Sequence, residues 1–212
     1  MIKVDDVNAW GFNHAIRGMR NPMNSWDRSD TVFDLDGGVF RMGEDDNRLM
    51  CKLFKAGTEH RKFMRQIMVS MDITAPLYWW KEFDTYKVGT TANSCSTMHK
   101  IAAKEFTDED FSFEHLEGDA NFCAGVVVET LNDYRQKYLK TKERQYWWCL
   151  IQLLPSSYNQ KRTVTMTYEN AANMIRQRTG HKLDEWHDFV KVLSDLPYMD
   201  DIINGDGGEH DA

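Results

Sequence analysis

The chain has 212 residues and a mass of 24.8 kDa, which is enough for one domain with a proper core. Its net charge of -7 argues against a broad basic surface for DNA or RNA, although a few local cations could still hold a small anion. The N-terminus has no apolar signal segment and no run approaches the roughly 18 apolar residues of a membrane span, so we expect a cytoplasmic protein without membrane contact.

The first half of the chain predicts two helices, one strand and the start of a third helix. A helical pattern covers Val7 to Met19, and a turn follows at residues 36–38. Apolar residues at helical spacing, with acidic residues in front, predict a helix over Glu44 to Ala56. Ile67 to Ile73 alternates as a strand does, and Pro76 then suits the first turn of a helix.

The second half predicts a loop or irregular strand over residues 89–100, followed mainly by helices. Helices are expected over residues 121–138, 142–154, 169–178 and 183–196, with a β-branched strand over 163–168. In the first of these helices the predicted apolar stripe is Cys123, Val127, Leu131, Tyr134 and Tyr138. Helices around a few strands, without βαβ alternation, favour an α+β class with one domain over residues 1–198 and an acidic flexible tail over 199–212.

The four cysteines form no CxxC pair, so the sequence favours reduced thiols over a disulfide framework, and no metal site is expected. Cys95 alone lies in a polar Ser and Thr run, where a plain thiol is still the simpler interpretation. Pro76 to Lys100 is the stretch best suited to chemistry, because its aromatic helix face leads into Tyr86-Lys87 and a loop rich in hydroxyl and amide donors. A satisfied polar turn under an aromatic core is the alternative.

In chain order the sequence carries Glu59-His60, Ala75-Pro76, Tyr86-Lys87 and Asn93, and later Asn173 and Arg178. This order of motifs resembles that of flavin-dependent thymidylate synthases, the ThyX family. That family has Glu-His, then Ala-Pro and an aromatic or apolar segment, then Arg-His-Arg, Ser, Asn-Glu and Ser. The corresponding residues here are Glu59-His60, Ala75-Pro76-Leu77-Tyr78, Thr85-Tyr86-Lys87, Thr90, Asn93 and Ser96. A second stretch keeps the family spacing from Pro155 to Arg178, and includes Leu154-Pro155, the strand TVTMTY, Asn173, Arg178, His181 and Trp186. The matched parts cover about residues 44 to 190.

The resemblance implies a small mixed or antiparallel sheet packed with several helices, and it implies a role for each matched residue. The residues implied to bind FAD are His60, Tyr86, Lys87, Asn93 and Asn173. Glu82, Ser96 and Arg178 would contact a pyrimidine nucleotide such as dUMP, and Ser96 and Arg178 would be the catalytic pair. Asn173 and Arg178 are expected on one helical face, where an Arg fork can hold phosphate or carbonyl oxygens.

The implied reaction is flavin-dependent transfer of a methyl or hydroxymethyl group, with methylenetetrahydrofolate and NADPH as co-substrates. The family also implies a homotetramer whose sites lie between subunits. The alternative is an inactive relative that binds a nucleotide or flavin, or that serves as an interaction protein.

Several positions depart from the family pattern. Thr85-Tyr86-Lys87 replaces Arg-His-Arg, and Glu82 replaces a Gln that reads the base. Ile151 and Glu169 replace arginines, and a carboxylate would repel a phosphate unless a cation intervenes. The cations that could take over are Lys81, Lys100, Arg162 and Arg176.

Overall fold

The computed structural model describes residues 2–34 and 39–205. The strands are β1 (Lys3–Trp10), β2 (Val32–Asp34), β3 (Val39–Arg41), β4 (Met68–Pro76), β5 (Thr90–Ser94) and β6 (Asn159–Thr167). The helices are α1 (Phe12–Arg20), α2 (Glu44–Lys55), α3 (Leu77–Phe83), α4 (Thr97–Lys100), α5 (Gly118–Thr141), α6 (Arg144–Leu153), α7 (Tyr168–Arg178), α8 (Asp184–Ser194) and α9 (Met199–Asn204). The turn predicted at 36–38 lies outside the described residues.

The main sheet has four strands in the order β1-β4-β6-β5, and β2 and β3 form a separate antiparallel pair. Side chains along β4 alternate between buried and half-buried, because successive residues of a strand point to opposite faces. The strand predicted over Ile67 to Ile73 is therefore confirmed, and it continues to Pro76. Helices around a small sheet confirm the α+β class.

The described residues form two compact units, one of which contains residues 2–5, 72–85 and 92–164. In this unit α5 packs on α6 around an apolar cluster centred on Leu131 and Leu150, both fully buried. Trp79 and Trp80 of α3 are also buried, and the indole N–H of Trp80 donates to the carbonyl of Gln160 at 2.9 Å.

The second unit contains residues 6–71, 86–91 and 165–205 of the described chain. Its helices α7 and α8 pack together, and α2 packs on α9. The buried apolar residues of this unit include Met50, Trp186, Phe189 and Met199. A buried ion pair joins Arg20 of α1 to Asp46 of α2.

Three sequence predictions need correction. The pattern read as a helix from Val7 is strand β1 as far as Trp10, and the helix begins only after Gly11, whose φ of 95° breaks the strand. Along α5 the predicted stripe fails only at its first residue: Cys123 is exposed, whereas Leu131 is buried and Val127, Tyr134 and Tyr138 pack against the same apolar cluster. The buried face also includes Ala124 and Val128, because this face packs on α6.

The third correction concerns the predicted tail. Its first residues form α9, in which Met199 and Ile202 are fully buried, so the flexible segment cannot begin at residue 199. Residues 206–212 of the predicted tail lie outside the described residues. None of the helices in the described chain is long and apolar enough to cross a membrane.

Candidate functional site

Arg178 is the last residue of α7, and aromatic side chains hold its guanidinium in place. Its Nε donates to the hydroxyl of Tyr86 at 2.9 Å, and that hydroxyl donates to Gln177 at 3.0 Å. The guanidinium carbon lies 4.7 Å from the ring centroid of the buried Trp186 and 5.4 Å from that of Tyr86. Stacking and hydrogen bonding together fix the direction of the fork. Two residues predicted for the site, Tyr86 and Arg178, are thus in direct contact.

The segment carrying Lys87 is attached to the start of α7. Asn170 donates to the hydroxyl of Thr90 at 2.8 Å and to the carbonyl of Val88. The backbone N–H of Thr167 donates to the carbonyl of Gly89 at 3.1 Å, and Gly89 has a φ of 72°. The side chain of Lys87 is exposed on this anchored segment.

Asn173 is half-buried in α7, five residues before Arg178. At about 100° per residue in a regular helix, the two side chains leave the axis about 140° apart. The expectation that they share one helical face is therefore wrong, since matched spacing along the sequence does not imply a shared face.

Ser96 lies at the start of α4 and borders a cavity of about 320 Å³. Its hydroxyl oxygen accepts from the backbone N–H of His99 at 3.0 Å, so the hydroxyl hydrogen can still be donated to another oxygen. The preceding residue, Cys95, is held to β6: its N–H donates to the carbonyl of Lys161 at 2.9 Å, and the Gln160 amide donates to its carbonyl at 2.9 Å. The thiol of Cys95 is exposed.

Three lysines line this cavity, and two of them have carboxylate partners. Lys104 pairs with the buried Asp110, which raises the pKa of the lysine, and Lys161 pairs with Asp72 at 2.7 Å. Lys100 has an exposed side chain, and no described residue forms an ion pair with it. Of the three lysines of this cavity, Lys100 is therefore the one whose charge is not compensated by a described carboxylate, and it is one of the cations predicted to take over phosphate binding. Lys104 and Lys161 were not predicted from the sequence, because nothing in their spacing distinguishes them from surface lysines.

Burial raises the pKa of Tyr158, another residue of this cavity, and the charge of Asp110 raises it further. The phenol is therefore neutral at physiological pH and can donate a hydrogen bond.

His60 is exposed and lines a cavity of about 870 Å³ in the second unit. Arg28, Arg48 and Lys52 also line it, together with the carboxylates of Asp27 and Asp45 and several apolar side chains. Arg20 reaches the same cavity, although its guanidinium is bound to Asp46. A roomy cavity with an excess of cations suits a large anionic ligand.

The structure gives a physical reason for two departures from the family pattern. Glu169 pairs with Arg65, with 2.6 Å between Arg65 Nε and a carboxylate oxygen, so a cation does compensate the carboxylate that replaces an arginine. Ile151 is partly buried against the apolar cluster of α5 and α6, and its position is thus used for packing. Arg162, one of the cations predicted to take over phosphate binding, donates to Asp84 at 2.8 Å and lies over the ring of Trp80. Its guanidinium is therefore already engaged within the protein.

Asn93 and Glu82 are the remaining predicted site residues. Asn93 is exposed in β5, and Glu82 is half-buried in α3, where its carbonyl accepts from the Thr85 hydroxyl at 2.7 Å. Glu82, Asn93 and Ser96 belong to the first unit, and His60, Tyr86, Lys87, Asn173 and Arg178 to the second. In the described chain, no three His, Cys, Asp or Glu side chains cluster as a metal site would require.

The fold is α+β and ThyX-like, and it matches solved structures along nearly the whole length of the chain. The chain is similar to thymidylate synthase X from Helicobacter pylori, solved with FAD and dUMP, with a TM-score of 0.71 and 16% identity over 99% of this chain and 100% of that one. Another structure of the Helicobacter pylori enzyme, also with FAD and dUMP, gives a TM-score of 0.70 and 15% identity over 94% and 96% of the two chains.

A third similar structure is a UMP/dUMP methylase, PolB from Streptomyces cacaoi, bound with 5-Br dUMP. Its TM-score is 0.56 at 13% identity, over 82% of this chain and 77% of that one. No protein-family model and no curated protein sequence matches this chain. At these identities the comparisons establish the ThyX-like fold, which confirms the resemblance seen in the sequence as far as fold is concerned.

Proposed function

We propose that this protein binds FAD and transfers a one-carbon unit to a pyrimidine deoxynucleotide such as dUMP, with methylenetetrahydrofolate and NADPH as co-substrates. The observation that carries the proposal is the Arg178 fork, oriented by Tyr86 and Trp186 within a ThyX-like fold. The similar proteins were solved with FAD and dUMP or with a brominated dUMP, which supports a pyrimidine nucleotide as ligand.

The cavity that contains His60 is large enough for FAD, and cationic side chains line it. The cavity of about 870 Å³ lies within the usual range for cofactor sites, and Arg28 and Lys52 can contact a pyrophosphate, whereas Arg48 lies 3.5 Å from Asp45. Tyr86, Lys87, Asn93 and Asn173 are the further residues that we assign to the cofactor. When bound, FAD would carry the electrons that reduce the transferred carbon.

For the nucleotide, we assign Arg178 to carbonyl or phosphate oxygens, and we assign Ser96, of the same or a neighbouring chain, to donate its hydroxyl hydrogen to a second oxygen. Arg178 also stabilises negative charge that develops on the pyrimidine ring, because its orientation is already fixed before the ligand binds. Lys100 supplies a cation beside Ser96 for the nucleotide phosphate. Glu82 is assigned to the base, where a carboxylate accepts a ring N–H in place of the amide of a Gln.

We further propose a homotetramer with sites at subunit interfaces. Support comes from apolar side chains exposed on the helical face of the first unit: Phe122 is 73% exposed and Val126, one turn later in α5, is 45% exposed. Trp148 of α6 is 40% exposed. Apolar surface of this kind is typical of a face covered by another chain.

Flavin binding is the first test. Protein purified after expression with riboflavin, or mixed with FAD and desalted, should keep the yellow absorbance of oxidised flavin. Thermal shift with dUMP, dTMP and deoxyuridine then tests the nucleotide, since a ligand bound by the folded state raises the melting temperature. We expect dUMP to stabilise the wild type and to have no effect on Arg178→Gln, with Arg144→Gln in the first unit as the matched surface control.

The second candidate is a catalytically inactive relative that binds a nucleotide or flavin. Ile151 in the apolar cluster and the Glu169–Arg65 pair favour it, because both positions are committed to structure. Protein that binds FAD or dUMP but transfers no one-carbon unit would support this candidate, and protein that binds neither ligand would contradict both candidates.

A further inference from the structure

The second unit contains another cavity besides the one with His60. This cavity has a volume of about 340 Å³ and borders α1 and the segment that precedes β2. Its lining residues are Asn13, His14, Ile16, Arg17, Arg20, Trp26, Ser29, Thr31 and Phe33. It shares Arg20 with the cavity that contains His60, and no other described residue of that cavity and no residue assigned to the nucleotide lines it. Its volume lies at the lower end of the range typical of small-molecule sites.

The charge of this cavity is unusual for an acidic chain. Its described lining includes Arg17, Arg20 and His14 but no Asp or Glu. Arg20 is held by Asp46 outside the lining, at 2.8 Å from its Nε. Arg17 is exposed, one turn after His14 on α1, and no described residue forms an ion pair or hydrogen bond with its side chain. An anion that enters the cavity therefore meets a cation whose charge is not yet compensated.

Two aromatic side chains, Trp26 and Phe33, line the cavity while remaining 47% and 37% exposed. Both are held in place: the indole N–H of Trp26 donates to Asn21 at 2.8 Å, and Phe33 stacks on Phe40 with 5.1 Å between ring centroids. Aromatic surfaces fixed in this way favour stacking with a planar ring, because little side-chain freedom is lost on binding.

A hydroxyl of the lining adds a hydrogen-bond acceptor. Ser29 donates its hydroxyl hydrogen to Asp46 at 2.6 Å, so its oxygen can only accept from a ligand. We infer that this cavity binds a small aromatic compound that carries an anionic group and an N–H or O–H donor. A mononucleotide and an aromatic amino acid such as 4-aminobenzoate share this chemistry, with phosphate and carboxylate respectively as the anion.

The test is calorimetric titration of the full-length protein with two probes, AMP and 4-aminobenzoate. The uncharged adenosine and 4-aminobenzamide are their controls. We expect at least one anionic probe to bind about tenfold more tightly than its uncharged counterpart, since a charge-assisted bond is worth about a factor of ten. The probe that binds identifies the anion as phosphate or carboxylate.

Variants assign the binding to this cavity. Arg17→Gln, on the exposed face of α1, should weaken the bound probe about tenfold, and Trp26→Leu about fivefold through lost stacking. Arg48→Gln, in the cavity with His60, and Arg178→Gln should leave its affinity unchanged. Binding that is lost in Arg48→Gln or Arg178→Gln but kept in Arg17→Gln would overturn the assignment, as would failure of both anionic probes to bind. The inference does not depend on the proposed function, whose own tests use FAD and dUMP.

Discussion

Replacing Asp46 with Asn should strongly destabilise the second unit. Asp46 is fully buried, and its Oδ2 accepts from the Ser29 hydroxyl, the Thr31 hydroxyl and the Thr31 N–H at 2.6, 2.7 and 3.2 Å. Its Oδ1 accepts from Arg20 Nε at 2.8 Å, and Arg20 Nη2 lies 2.8 Å from the same oxygen. An Asn side chain has nearly the same shape, but its amide offers hydrogens where the carboxylate accepts them.

The expected cost is about 3–5 kcal/mol, the usual penalty for removing one partner of a buried ion pair and leaving the other charge uncompensated. Asp45→Asn is the matched control. Asp45 precedes it in α2, has a side chain that is 60% exposed and lies 3.5 Å from Arg48, so its loss should change stability by less than about 0.5 kcal/mol.

The pH dependence of the stability that Asp46 contributes follows from the direction in which its pKa is shifted. Burial raises the pKa of Asp46, but hydrogen bonds from Ser29, Thr31 and Arg20 outweigh it and bring the pKa below its ordinary value. A carboxyl with a depressed pKa in the folded state contributes stability above its unfolded pKa of about 4 and loses it as pH falls further. The difference between wild type and Asp46→Asn should therefore shrink below about pH 4.

Urea denaturation followed by circular dichroism measures both effects. The midpoint should fall for Asp46→Asn with the slope unchanged, and hardly move for Asp45→Asn. A loss below about 1 kcal/mol for Asp46→Asn, or equal losses for the two variants, would refute the role given to this ion pair.

Three further predictions concern the proposed site. Tyr86→Phe removes the hydroxyl that accepts from Arg178, and dUMP affinity should fall about tenfold in calorimetric titration; unchanged affinity would separate this contact from nucleotide binding. Lys100→Gln should weaken dUMP about tenfold yet leave deoxyuridine unaffected, because only dUMP carries a phosphate; an equal loss for both ligands would contradict the phosphate assignment. Gly89→Ala should lower stability by about 1–2 kcal/mol in urea, since φ is 72° and the new Cβ would lie 3.2 Å from the Thr167 methyl carbon; a neutral effect would show that the backbone relaxes there.

The sequence predicted the elements that carry a strong periodic signal. The helix over Glu44 to Ala56 is confirmed as α2, and the strand and helix before Arg178 are confirmed as β6 and α7. It misassigned the N-terminal segment because β1 is stabilised by pairing in the sheet, a contact between distant residues that local spacing cannot reveal. The same limit explains α9, whose Met199 and Ile202 are buried by other parts of the chain.

For the candidate site, the sequence suggested residues but could not suggest their geometry. Motif order suggested both Tyr86 and Arg178, and in the structure the two side chains are in contact, which the sequence did not predict. The stacking of Arg178 on Trp186 and the compensation of Glu169 by Arg65 depend on tertiary packing, so no spacing in the sequence could show them. The cavity bordered by Arg17 gave no sequence signal, because its lining residues follow no recognisable motif.

The most direct test of the proposed function is tritium release from dUMP labelled at C5. C5 carries a single hydrogen, and attaching a one-carbon unit to C5 replaces it. Wild-type protein supplied with FAD, methylenetetrahydrofolate and NADPH should release tritium to water, and Arg178→Gln should release it at least about a hundredfold more slowly. Protein that binds FAD and dUMP but releases no tritium above the background without enzyme would contradict the proposal.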